Sequence, residues 1–163
     1  MILVVSTEPF LLINNLSQSP FNIGTILSLN DFNIVQIERL NQLHNYPFTE
    51  NEVDTLVEWI GGHPFLIRQA LYMVAVGMYS PEQFMKTISR KDGPYGDHLI
   101  RHLLNLSQYP ELGKALKQLI ISKKKPSENV VYRLESAGLI RSVGDQIVPR
   151  YKLYEVFLKD NLQ

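Results

Sequence analysis

His98 and His102 stand four residues apart, so a helix places both imidazoles on one face, which is the spacing of a metal-binding pair. The chemistry stops there. Leu99 follows His98 where an HExxH motif carries its glutamate, no third distant ligand is evident, and the chain has no cysteine to supply thiolates. We read Asp97-His98 as a helix start, with the carboxylate near its N-terminus, and assign no metal ligands. A phosphate-cradling GxxxxGK[ST] loop fails as well. At the Gly113-Lys114 pair, Gln108 stands where the first glycine belongs and Ala115 where the hydroxyl belongs. No serine lies in a GxSxG context, and no strand ends in paired acidic residues to hold Mg²⁺. Catalysis by this chain alone is therefore not expected.

A basic group is the other candidate. Lys123, Lys124, Lys125, Arg133, Arg141, Arg150 and Lys152 gather late in the chain and have the charge to meet phosphates. The helix between them mixes Arg133 with Glu128 and Glu135, which favours docking to protein over strong binding to DNA. Lys123, Lys124, Lys125, Arg133 and Arg141 are the candidate nucleic-acid contacts. Residues 1–92 carry five Lys/Arg against nine Asp/Glu, and residues 93–163 carry eleven against seven. This net −4 followed by +4 suits a basic module, or two halves that attract each other.

The elements that must position these groups are mostly helical. Thr49 and Glu52 have capping-box spacing, and Val53, Leu56, Val57 and Ile60 form one apolar stripe that must stop at Gly61-Gly62. Pro64 then suits the first turn of a new helix, continued by Phe65, Leu66, Gln69, Ala70, Met73 and Val74. That junction aims one helix end at another. Asn33 with Gln36 and Ser80 with Gln83 repeat the capping device, so residues 31–92 give four helices. Phe65, Tyr72 and Tyr79 are read as core aromatics.

Two glycines and a proline in Gly93-Pro94-Tyr95-Gly96 mark a boundary. Beyond it come helices from about Asp97, Pro110 and Ser127, then a hairpin of Leu139 to Val143 and Gln146 to Arg150 around Gly144-Asp145. A last helical stripe runs from Tyr151 to Asn161. Helices followed by a β-wing and a helix suggest a winged-helix module. At the other end, Ile2 to Val5 reads as a buried strand, Phe10 to Ile13 as a second short apolar run, and a Ser/Asn/Pro loop follows to about Leu29. The apolar runs are too short to span a bilayer, so the chain reads as soluble and cytoplasmic with no membrane partner.

The chain resembles the AAA-like domain family, abundant in cyanobacteria and related to STAND-type signal-transduction ATPases. The resemblance rests on Ser6-Thr7-Glu8, on Gln18 to Gly24, on Gly61-Gly62-His63-Pro64 through Arg68, on Gly93 through Leu103, and on Val148-Pro149-Arg150 with Leu153-Tyr154. It implies the end of a series: a nucleotide-binding core, a helical lid and a winged helix. The expected fold is mainly α, with 1–30 as a residual strand and loop of the core, 31–92 as the lid and 93–163 as the winged helix. Ser6 and Thr7 then fall at the end of the sensor-1 strand. Pro64, with His63 beside it, matches the proline that packs on adenine, although helix initiation explains it equally well. Arg68 matches a phosphate-sensing cation, while spacing alone reads it as a solvated helix face. The resemblance implies a regulatory fragment, not catalytic by itself, that binds neither ATP nor ADP without its core. Its partners are the missing core or an effector domain, with a homodimer through the N-terminal strand as a further expectation. The alternative is a winged-helix transcriptional regulator that binds DNA.

Overall fold

The computed structural model describes residues 30–162, which form eight helices and one two-stranded antiparallel sheet. The first four helices are α1 (Ile34–Leu43), α2 (Glu50–Ile60), α3 (Pro64–Ala75) and α4 (Pro81–Thr87). Three of them begin on capping boxes. Asn33 with Gln36, Thr49 with Glu52 and Ser80 with Gln83 each satisfy backbone donors that the first turn would otherwise leave unpaired. The buried Asn41 closes the α1–α2 connection: its side-chain amide donates to the Phe48 carbonyl at 2.8 Å, and its Oδ1 accepts from the Phe48 N–H at 3.3 Å. Phe48 can therefore sit buried against Phe84, rings edge to face.

The second set is α5 (Gly96–Ser107), α6 (Pro110–Ser122), α7 (Glu128–Ser136), β1 (Ile140–Val143), β2 (Gln146–Pro149) and α8 (Lys152–Asn161). The hairpin pairs Val143 with Gln146 and Ile140 with Pro149, and Gly144 takes the left-handed conformation that its two-residue turn requires. α8 packs on α2, α5 and α6, so it belongs to the core shared by both sets. Its buried face is Leu153, Tyr154, Phe157 and Leu158.

The boundary at Gly93 to Gly96 is a packed turn. A Cβ on Gly93 would lie 2.0 Å from the Thr87 carbonyl oxygen, and one on Gly96 would lie 2.0 Å from that of Lys91. Tyr95 is fully buried there and donates its hydroxyl to the Leu66 carbonyl at 2.7 Å, while Gln69 donates to the Pro94 carbonyl at 2.9 Å. These bonds fix the start of α5 against α3. One expectation is corrected: Phe65 and Tyr72 are 54% and 55% exposed, because α3 buries Leu66, Ile67, Ala70 and Leu71 instead. Tyr79 is half-buried, edge-on to Phe84. The expected strand of Ile2 to Val5, the run Phe10 to Ile13, and Ser6 and Thr7 lie outside the described residues.

Candidate functional site

The Gly61-Gly62-His63-Pro64 turn makes a close three-way junction. Gly61 ends α2 with a positive φ of 55°, which favours glycine, and a Cβ on it would come within 2.8 Å of the Tyr151 ring. At Gly62 the crowding comes from the chain entering α1, because a Cβ would lie 1.9 Å from the Phe32 carbonyl oxygen. The Phe32 N–H donates to the Gly62 carbonyl at 2.7 Å. The two glycines thus admit Tyr151 on one side and Asp31-Phe32 on the other, and Pro64 opens α3 at once.

His63 projects from this turn into a group of rings. Its centroid lies 5.6 Å from that of Tyr151 and 5.8 Å from that of His98, whose plane is perpendicular to it. On α5, the Nε2 of His98 is 2.8 Å from the Tyr154 hydroxyl and 3.2 Å from Nε2 of His102. A neutral ring nitrogen either donates one proton or offers one lone pair, so the Tyr154 hydroxyl and the His102 nitrogen share a single hydrogen-bonding site on His98. The His63 Nδ1 is buried without a hydrogen-bond partner.

The outer edge of the junction is charged. The Tyr151 hydroxyl lies 2.9 Å from both carboxylate oxygens of Asp31, and it accepts from Arg150 Nε at 2.9 Å. Arg150 also pairs with Asp31 at 3.1 Å. Farther along, Lys152 pairs with Glu58 and sits 4.8 Å above the Trp59 ring. Residues from the segment before α1, from α2 and from the start of α8 are thereby tied together.

Burial decides the protonation states. It holds the His63 imidazole below its ordinary range, with Asp31 opposing the shift and Arg150 adding to it. Burial, reinforced by His102, His63 and Arg101, brings His98 down to about 3. His102 falls to about 4 through burial, with His63 and Arg101 contributing. Burial likewise raises the Tyr151 and Tyr154 hydroxyls, so both remain protonated at neutral pH. The site is a neutral network of hydrogen bonds and ring contacts. Among the described residues, no group of three or more His, Asp or Glu is arranged to hold a metal ion.

The structure brings His63 and Pro64 to this junction and leaves Arg68 exposed on α3 beside it. The basic candidates are spread out: Lys123 pairs with Glu155 at 3.2 Å, and Arg133 pairs with Glu111 at 2.8 Å and lies over the Tyr109 ring. Lys124, Lys125 and Arg141 are exposed. Sequence reasoning missed Asp31, Arg150, Tyr151 and Tyr154 as partners of the histidines. The available signal was the three-residue spacing of Tyr151 and Tyr154 at the start of α8, which brings the two rings side by side, one against His63 and the other against His98.

Among the described residues, no helix is long and apolar enough to cross a membrane. A family model described as an AAA-like domain matches residues 1–160. No curated protein and no solved structure matches the chain.

Proposed function

The chain belongs to the AAA-like domain family, and we propose that it supplies the regulatory lid and winged helix of a STAND-type signalling ATPase. In this reading, residues 31–92 with α1–α4 are the lid, and residues 93–163 with the hairpin are the winged helix. Residues 1–30 carry the end of the nucleotide-binding core, Ser6 and Thr7 among them. ATP or ADP is held mainly by that core, with His63, Pro64 and Arg68 closing over it, and the chain does not hydrolyse nucleotide alone.

One observation carries the proposal: His63, the neighbour of Pro64, touches both α5 and α8 through His98 and Tyr151. A lid that contacts nucleotide differently in its two states displaces the turn, and the turn pushes on the elements after it. Nucleotide state is thus converted into movement presented to a core or effector domain. The pairing of Lys123 with Glu155 and of Arg133 with Glu111 keeps two of the five candidate DNA contacts engaged inside the chain, so DNA binding ranks second.

Calorimetry with ATP and ADP tests the first half, and sub-micromolar binding to residues 1–163 alone overturns the reading of the chain as a fragment that needs its core to hold nucleotide. The second half is tested by adding a P-loop core of the same family in trans. The protease susceptibility of residues 123–127 is then expected to differ between ATP and ADP, and Tyr151→Ala is expected to erase that difference. An unaltered difference in the variant defeats the coupling.

A further inference from the structure

Three imidazoles meet at the junction, one from a turn and two from a single helix. His63 comes from the turn before α3 and meets Tyr151 at the N-cap of α8, while His98 and His102 come from α5 and are both packed against Tyr154 of α8. The charged groups facing them are Asp31 from the segment before α1, Arg150 from the end of β2, and Arg101 on α5 itself. Asp31 is the carboxylate of this set, and it is already engaged by the Tyr151 hydroxyl and the Arg150 guanidinium. A charge added to His98 is therefore opposed first by burial among rings, then by positive charge on His102, 3.2 Å away, and on Arg101.

We propose that this junction is an acid-released latch, in which protonation of His98 and His102 lifts the His63 turn and the Asp31 segment off α5 and α8. The closed latch excludes protons, as burial already brings His98 to about 3 and His102 to about 4. Opened to water, the same rings regain ordinary affinity near 6.5, so each favours the open form by up to about tenfold per pH unit below that value. A protonated His98 can donate from Nε2 to only one of Tyr154 and His102, and once both rings are protonated the two Nε2 atoms are both donors at 3.2 Å, so the second proton sets two cations face to face in the closed form.

The chain carries its own reporter. Trp59 is the single tryptophan, and Lys152 of α8 sits over its ring, so parting of α2 from α8 removes a cation from the indole face. Emission from the full chain is expected to change between pH 6.5 and 4 while the far-ultraviolet signal of the helices persists. The variant carrying His98→Gln and His102→Gln is expected to lose that change or shift it by more than a pH unit. An emission transition identical in the variant, a flat wild-type trace, or simultaneous loss of helicity overturns the latch. Should the double variant fail to fold, proton resonances of the histidine rings in the wild type decide: two rings titrating below pH 5 support the latch, and all four titrating above pH 6 refute it. The measurements use no nucleotide, so they stand or fall separately from the nucleotide coupling of this same junction.

Discussion

Gly62→Ala is the sharpest test of how the junction is built. Gly62 does not adopt a positive φ, so the backbone itself tolerates alanine. Space does not, because the new methyl would lie 1.9 Å from the Phe32 carbonyl oxygen, 2.7 Å from its nitrogen and 2.8 Å from its carbonyl carbon. These are backbone atoms, and no rotamer change relieves them. The segment must back away by more than an ångström, breaking the 2.7 Å bond from the Phe32 N–H to the Gly62 carbonyl. Asp31 moves with it and draws away from Tyr151. The lost hydrogen bond costs about 1 kcal/mol and the overpacking about 1–3, giving an expected destabilisation of about 2–4 kcal/mol. Gly77→Ala is the matched control, since Gly77 has φ 76° and a methyl added there meets nothing within 4 Å, leaving only left-handed strain of about 1–2 kcal/mol. Urea denaturation of both variants and the wild type, followed by circular dichroism at pH 7.5, supplies the comparison. A Gly62→Ala midpoint no lower than that of Gly77→Ala would refute the close approach of the α1 entry segment to the turn.

Three other outcomes follow from named contacts. Asn41→Ala leaves the buried N–H and carbonyl of Phe48 without their side-chain partner, so a loss of about 2–3 kcal/mol is expected in urea titrations; a loss below about 0.5 kcal/mol denies the bridge. For His98 and His102 the folded values lie below the unfolded value near 6.5, so their contribution is fully present above about pH 6.5 and is lost as pH falls toward 4 and then 3. Urea titrations at pH 7.5, 6 and 5 should show little change until about pH 6.5 and then a fall that approaches about 1.4 kcal/mol per pH unit for each imidazole, and unchanged midpoints deny their burial as neutral rings. Tyr95→Phe removes the donor to the Leu66 carbonyl and should cost about 1–2 kcal/mol, with faster amide exchange in the first turns of α3 and α5; unchanged exchange shows that the hydroxyl does not join these helices.

The helical frame was legible because its signals are local. A capping box needs residues three apart, and Asn33-Gln36, Thr49-Glu52 and Ser80-Gln83 all form. Gly144-Asp145 likewise sets the hairpin register that the structure adopts. The junction was only half legible. His63 stood out because of the turn that carries it, but His98 meets Tyr154 across 56 positions of sequence and Tyr151 meets Asp31 across 120. No spacing rule reaches that far. The misplacement of Phe65 and Tyr72 has a different cause: α3 is apolar on two faces, and periodicity gives the angle between the faces without saying which one other helices cover.

The composition of the junction also bears on how firmly it can hold. A buried ion pair in place of the His and Tyr rings would be costly to desolvate and more costly still to separate, since parting it leaves charges buried alone. Neutral rings avoid both penalties. His98, His102 and Tyr154 exchange hydrogen bonds of modest net value, about 0.5–1.5 kcal/mol each, and can exchange them for water when the surfaces part. The charges are kept at the rim, where Asp31 with Arg150 and Glu58 with Lys152 remain more than a third exposed on at least one side and contribute about 0–1 kcal/mol each. Such a contact orients α3 against α5 and α8 without welding them together. The persistent bonds lie to one side, where Tyr95 holds the Leu66 carbonyl and Gln69 holds that of Pro94.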